Sequence, residues 1–151
     1  MTISKALFSS KDQGWGTPPN IFNTLSRLHG PFKLDAATRS DNPLDTPYFY
    51  TEKDNGLIQQ WMNPTFVNPP FGRGIKLYYW VQKAYAESCL GNKVVMLIPA
   101  RTDTRWFHDY IYQRPKVEYI FIKGRLRFVD YEGNKHPHVA PFPSMIVIFR
   151  P

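Results

Sequence analysis

The chain has 151 residues, a formal net charge of +7 and 16% aromatic residues, which is one domain's length with a basic surplus suited to a polyanionic partner and rings on which bases can stack. A single cysteine, Cys89, excludes an intramolecular disulfide framework and makes the reducing cytosol the expected compartment. With no signal-peptide core near the start and no run of apolar residues long enough to span a bilayer, the sequence predicts a soluble cytoplasmic protein without a membrane partner.

Residues 1–12 are polar and aperiodic and predict a flexible N-terminal segment, leaving 13–151 as a single domain. Thr17 before Pro18 reads as an N-cap followed by proline at the first helical position, and Ile21, Phe22, Leu25 and Leu28 continue at helical spacing, so a helix is predicted from Pro18 to Leu28. Phe32-Lys33-Leu34 is a short strand ending in Asp35-Ala36-Ala37. Residues 38–47 form a loop, and Tyr48 to Thr51 a second strand running into the polar group Glu52 to Gly56. The third strand, Thr65-Phe66-Val67, carries Asn68-Pro69-Pro70-Phe71 at its end.

Leu77, Val81, Ala84, Tyr85 and Ser88 mark an amphipathic helix from Gly74 to Cys89, closed by Gly91. Cys89 itself reads as a buried apolar residue. The continuous apolar run Val94 to Ile98 predicts a strand covered on both faces. A helix follows over Thr104–Tyr112, then strands over Val117–Ile122 and Ser144–Phe149 separated by Gly124 to Phe128 and a proline-rich loop. Strands alternating with helices, then a terminal strand pair, predict an α/β fold with a mostly parallel twisted sheet, an antiparallel terminal pair and flanking helices.

The Asn68 turn carries the chemistry. Two prolines fix φ and remove two N–H donors, so the Asn68 side-chain oxygen and the Pro69 carbonyl are acceptors that suit the two hydrogens of an exocyclic amino group. Phe71 offers a flat apolar face for the ring bearing that group. The bland alternative is a rigid turn closing a strand. In open α/β sheets ligands bind at the carboxyl ends of strands, so Asp35, Asp54 and Asn68 are expected around one crevice, with the two acids available to an ammonium, an amino group or a ribose hydroxyl. Asp35 is equally readable as a turn cap, and Asp54-Asn55-Gly56 as an ordinary β-turn. His136-x-His138 lies among prolines with no cysteine or carboxylate cluster nearby, so no metal site is expected.

The order of these segments resembles the small phage-type Dam DNA N6-adenine methyltransferases. The resemblance runs through Gln13 to Pro18, Leu34-Asp35-Ala36-Ala37, Phe49 to Gly56, Trp61 and Val67 to Phe71. It continues through Leu97 to Arg101, Thr104 to Phe107, Gly124 to Phe128 and Pro141 to Ser144. It implies a compact Rossmann-like methyltransferase fold and S-adenosylmethionine as cofactor, with S-adenosylhomocysteine as product and no metal. It further implies a cofactor site drawing on Trp15, Thr17, Pro18, Asp35, Ala36 and Asp54, and Asn68, Pro69, Pro70 and Phe71 at the reacting amine. The segment ending in Phe128 resembles a motif that frames the target base. No Gly-x-Gly loop follows Asp35, and the distance from Asp35 to Asn68 is shorter than a full methyltransferase core requires.

The implied reaction is direct methyl transfer to adenine N6 of double-stranded DNA. A base inside a duplex has to be flipped out at a cost of a few kcal/mol, against which stacking on Phe71 contributes roughly 1–3 kcal/mol. Arg73, Lys76, Arg101, Arg105, Arg125 and Arg127 fall where they meet phosphates or remain solvated surface charges. The rival readings are the same chemistry on an RNA base or a protein glutamine, and a noncatalytic DNA-binding module on the same fold.

Overall fold

The computed structural model describes residues 15–71, 75–130 and 132–151, the side chains of residues 75 and 76 excepted. The expected flexible segment 1–12, Gln13-Gly14, Arg73, the expected helix start at Gly74 and the Lys76 side chain lie outside the described residues. The elements in chain order are α1 (Pro19–His29), β1 (Leu34–Asp35), β2 (Tyr48–Phe49), a 3-10 turn (Gly56–Ile58), β3 (Thr65–Val67), α2 (Ile75–Cys89), β4 (Val94–Pro99), α3 (Arg105–Tyr110), β5 (Val117–Phe121) and β6 (Ser144–Phe149). No helix among them is long and apolar enough to cross a membrane.

The six strands form one sheet in the order β2-β1-β3-β4-β6-β5. The β1, β2, β3 and β4 strands run parallel. β6 inserts antiparallel between β4 and β5. The mostly parallel sheet expected from the alternating pattern is present, consistent with the Rossmann-like fold that the resemblance implies, and its antiparallel component is an interior strand with partners on both sides.

Side-chain alternation along the strands divides the core between two faces. Val94, Met96 and Ile98 of β4, with Val67, Val147 and Phe149, pack against Leu77, Trp80, Val81 and Ala84 of α2 and Trp106 and Phe107 of α3. Val95, Leu97, Phe66, Ile146 and Ile148 face the other way, against Phe22 and Leu25 of α1. Each residue of β4 and β6 is buried, as strands covered on both sides require.

Several sequence expectations shift. Asp35 stands inside β1, where Leu34 and Asp35 pair with Thr65 and Phe66 of β3. Cys89 is exposed. The buried stripe of α2 continues through Glu87 and Ser88, and Cys89 lies off that stripe at 100° per residue. Thr17 does not cap α1, because Pro18 occupies the N-cap position and no side-chain cap bond forms. Thr104 does cap α3, its hydroxyl accepting from Phe107 N–H.

Candidate active site

β1 connects to β2 on one side of the sheet and is paired with β3 on the other, so the strand order turns back at the carboxyl ends of β1 and β3. This is where open α/β sheets bind ligands. A cleft of about 980 Å³ opens there, walled by Trp15, Gly16, Thr17, Asp35, Ala36, Gly56, Asn68, Pro69, Pro70, Phe71 and Trp80. Its size sits at the upper end of roughly 300–1,000 Å³ for small-molecule sites, which leaves room for a nucleoside-sized cofactor and a second ring.

Asn68 follows the last residue of β3, and its amide is fixed from the N-terminal side of the chain. Nδ2 donates to the Trp15 carbonyl at 3.0 Å and to Thr17 Oγ1 at 3.0 Å. A carbonyl only accepts, so the group facing Trp15 has to be the NH2 and the orientation of the amide is set. Oδ1 is buried and has no hydrogen-bond partner among the described residues. A buried acceptor left unpaired costs roughly 1–3 kcal/mol, so its presence at a cleft residue points to a donor that arrives with the ligand.

Segment 15–17 is itself held in place. Gly16 N–H donates to the Val129 carbonyl at 2.8 Å and Val129 N–H returns a bond to the Gly16 carbonyl at 3.0 Å. The Trp15 indole stacks on His136 at 5.1 Å and meets Phe128 and Phe142 edge-on, each at 5.5 Å. The β5–β6 connection therefore supports the groups that orient Asn68.

Asp35 is 2% exposed. Loss of hydration on burial pushes its carboxyl up to about 7, against smaller opposing contributions from the Ala37 amide and the Thr38 hydroxyl. A carboxyl poised near neutrality at a strand end is suited to becoming ionised when a cationic group binds beside it. Next to it, Ala36 is wholly buried. A Cβ built on Gly56 would collide with the Ala36 carbonyl and lie 3.1 Å from the Trp80 ring. Only glycine lets the loop after β2 approach this closely, and the Trp61 indole N–H fixes it by donating to the Gly56 carbonyl at 2.8 Å.

Trp15, Thr17, Asp35 and Ala36 all line the cleft, as do Asn68 through Phe71; Pro18 does not, and Pro19 stands on the wall in its place. Asp54 is also off the wall. Its Oδ2 accepts from Thr51 N–H at 2.8 Å and Thr51 Oγ1 at 3.0 Å, and those bonds hold its carboxyl below the usual range. Asp54 closes its own turn, and Glu52 is the acid from this loop that lines the cleft.

Phe71 offers less than a free face. Its ring is 5% exposed and packs edge-to-face on Phe142 at 5.0 Å, because the residue after two prolines turns back into the core. Phe128 is 1% exposed and contacts Trp15 and Phe142, so it braces the site from behind. Arg101 and Arg125 are not on the cleft wall. Arg127 donates to the His136 and Pro137 carbonyls at 2.8 and 2.9 Å and pins the loop, while Arg105 lies over the Tyr78 ring. Sequence reading missed Arg39 and Lys53, which line the cleft among the described residues; both sit in stretches that read as ordinary polar loop. No cluster of three or more His, Cys, Asp or Glu suited to a metal occurs among the described residues.

The family described as DNA N-6-adenine-methyltransferase (Dam) matches residues 3–151. The chain belongs to the Dam family. A DNA N-6-adenine-methyltransferase of Escherichia phage T1 is 30% identical over 124 residues, covering 81% of this chain and 49% of the phage protein. This chain thus spans about half the length of that relative. YfdM of Escherichia coli (strain K12), named as a methyltransferase, is 41% identical over 64 residues, 38% of this chain and 69% of YfdM. The Dam family's name fits a sheet that places an amide turn and a buried acid at one switch point.

Proposed function

We propose that this Dam-family chain is an adenine-specific DNA methyltransferase that transfers a methyl group from S-adenosylmethionine to N6 of an adenine flipped out of double-stranded DNA. One observation carries the reading: Asn68 lines the cleft with its amide fixed by the NH2 group, while Oδ1 is buried and has no hydrogen-bond partner among the described residues.

The residues present fit the cofactor. Asp35 would face the ammonium of the methionine end and Glu52 would accept from ribose hydroxyls, with Ala36, Gly56, Leu57 and Trp80 as the surrounding wall. When bound, S-adenosylmethionine supplies an electrophilic methyl group on sulfonium sulfur. Asn68 Oδ1 and the Pro69 carbonyl each accept a hydrogen from N6. This draws electron density onto a nitrogen whose lone pair is otherwise delocalised into the ring, and holds it in line. The proton lost from N6 passes to water, since the protonated product amine is strongly acidic and needs no strong base. Phe71 and Pro70 exclude water and shape the wall. The base's stacking partner has to come from another ring or from rotation of Phe71, since its ring is nearly covered.

Nucleoside mass spectrometry after incubation with unmethylated DNA and labelled S-adenosylmethionine tests the reading. N6-methyladenine in DNA is the expected product. Label appearing only in RNA or protein would replace the substrate. No transfer at all, with S-adenosylhomocysteine still bound, would leave a noncatalytic module.

A further inference from the structure

We infer that Thr17 is a positioning residue for the acceptor amine, acting through Asn68, and not principally a cofactor contact; this rests on the methyltransferase reading above. Its hydroxyl oxygen takes one of the two hydrogens of the Asn68 amide at 3.0 Å, and the Trp15 carbonyl takes the other at 3.0 Å. Thr17 is 8% exposed and precedes α1, where a threonine ordinarily caps the helix, yet α1 has no side-chain cap. The hydroxyl is used instead on a residue 51 positions away in sequence.

Rotation about the terminal torsion of an asparagine is broad, so an amide held by a single contact keeps its NH2 toward that acceptor but swings about the bond. Two acceptors on one nitrogen remove that freedom. The amide plane is then locked, and Oδ1 stays where an incoming N–H is met. The lock is rigid because Gly16, between the two acceptors, is paired on both sides with Val129. Loss of the Thr17 hydroxyl leaves the Trp15 carbonyl as the single restraint. The amide plane then swings about the Trp15 bond and Oδ1 is less often where an incoming N–H is met, while the wall beside Asp35 is untouched.

Thr17→Val keeps shape and removes the hydroxyl, and Thr17→Ser keeps the hydroxyl and removes the methyl. Single-turnover transfer to an adenine-containing duplex should fall about tenfold in Thr17→Val, the scale of one net hydrogen bond. The dissociation constant for S-adenosylhomocysteine, by calorimetry, should change less than about twofold, and Thr17→Ser should keep most of the rate. A full rate in Thr17→Val, a loss in Thr17→Ser equal to that in Thr17→Val, or a loss residing in the dissociation constant with the rate intact would each overturn the assignment. The side-chain amide signals of Asn68 in nitrogen-resolved NMR of the wild type give a reading independent of catalysis. Both protons should be protected from exchange with solvent, and the protection lost in Thr17→Val. Fast exchange in the wild type would overturn the assignment. Failure of the wild type to methylate DNA, with protection intact, would instead count against the proposed function alone.

Discussion

Gly16 and Val129 exchange two backbone hydrogen bonds, at 2.8 and 3.0 Å, and approach so closely that a Cβ on Gly16 would lie 2.8 Å from Val129 Cγ2 and 2.9 Å from its carbonyl oxygen. This contact ties the segment that orients Asn68 to the connection between β5 and β6. Gly16→Ala is therefore expected to cost about 1–3 kcal/mol of unfolding free energy and to reduce methylation more than the stability loss explains. Val129→Ala should restore only part, because the backbone oxygen still obstructs. Urea unfolding and initial rates on the single and double variants measure both effects; a neutral Gly16→Ala would show that the segment shifts freely.

Asn68→Ala removes the unpaired acceptor. Methyl transfer should fall by roughly a hundredfold or more, the scale of deleting one preorganised group at a reacting atom. Affinity for S-adenosylhomocysteine should hold within about threefold, since the contacts removed are to the acceptor amine. The substitution also deletes the Nδ2 bonds to the Trp15 carbonyl and the Thr17 hydroxyl, so about 1–3 kcal/mol of stability should be lost and the melting temperature should fall. Quench-flow transfer assays paired with calorimetry check this, and a wild-type rate in Asn68→Ala would remove Asn68 from the reaction.

Asp35, with its carboxyl raised to about 7 by burial, gives a signed pH dependence. The folded state binds a proton here that the unfolded state, near its ordinary value of 3.8, has released. Its contribution to stability is therefore fully present below about pH 4 and is lost as pH rises toward 7, at up to about 1.4 kcal/mol per pH unit. Asp35→Asn should abolish that slope and be more stable than wild type at pH 8.

The same group predicts proton release on ligand binding. A cationic methionine end favours the carboxylate, so affinity for S-adenosylhomocysteine should rise from about pH 5.5 to 7.5 and then level off, with Asp35→Asn weak and nearly flat. Calorimetry at pH 6.5 in two buffers of different ionisation enthalpy should show up to about three-quarters of a proton released in the wild type. No release would mean that Asp35 remains neutral in the complex.

Phe71 packs into the core against Phe142, so Phe71→Ala should cost about 3–5 kcal/mol in stability, a loss that a free stacking platform would not show. Phe71→Leu should recover much of the stability. Denaturant unfolding separates the two roles: an unchanged midpoint in Phe71→Ala would restore the ring to a purely base-facing task.

The sequence by itself determined the element order, the continuous apolar strands and the Asn-Pro-Pro-Phe turn, because hydrophobic period and proline geometry are local properties. Asp35 is legible as a strand-end acid, and the apolar run Ser144–Phe149 coincides with the limits of β6. The tertiary structure decided how the site is assembled. Thr17 looked like a helix cap in its own segment, but its hydroxyl is used by Asn68, and no local pattern encodes a bond between distant residues. Asp54 and Glu52 stand two residues apart in one polar stretch, and only the turn's hydrogen bonds determine which of them closes the turn and which remains on the cleft wall. Phe71 reads as a face for a base and Phe128 as the end of a segment that frames one; both rings are buried and pack on Phe142. Local chemistry singles out the Asn68 amide, and contacts between segments far apart in the chain fix its orientation, since hydrogen-bond direction and burial depend on partners that sequence spacing does not specify.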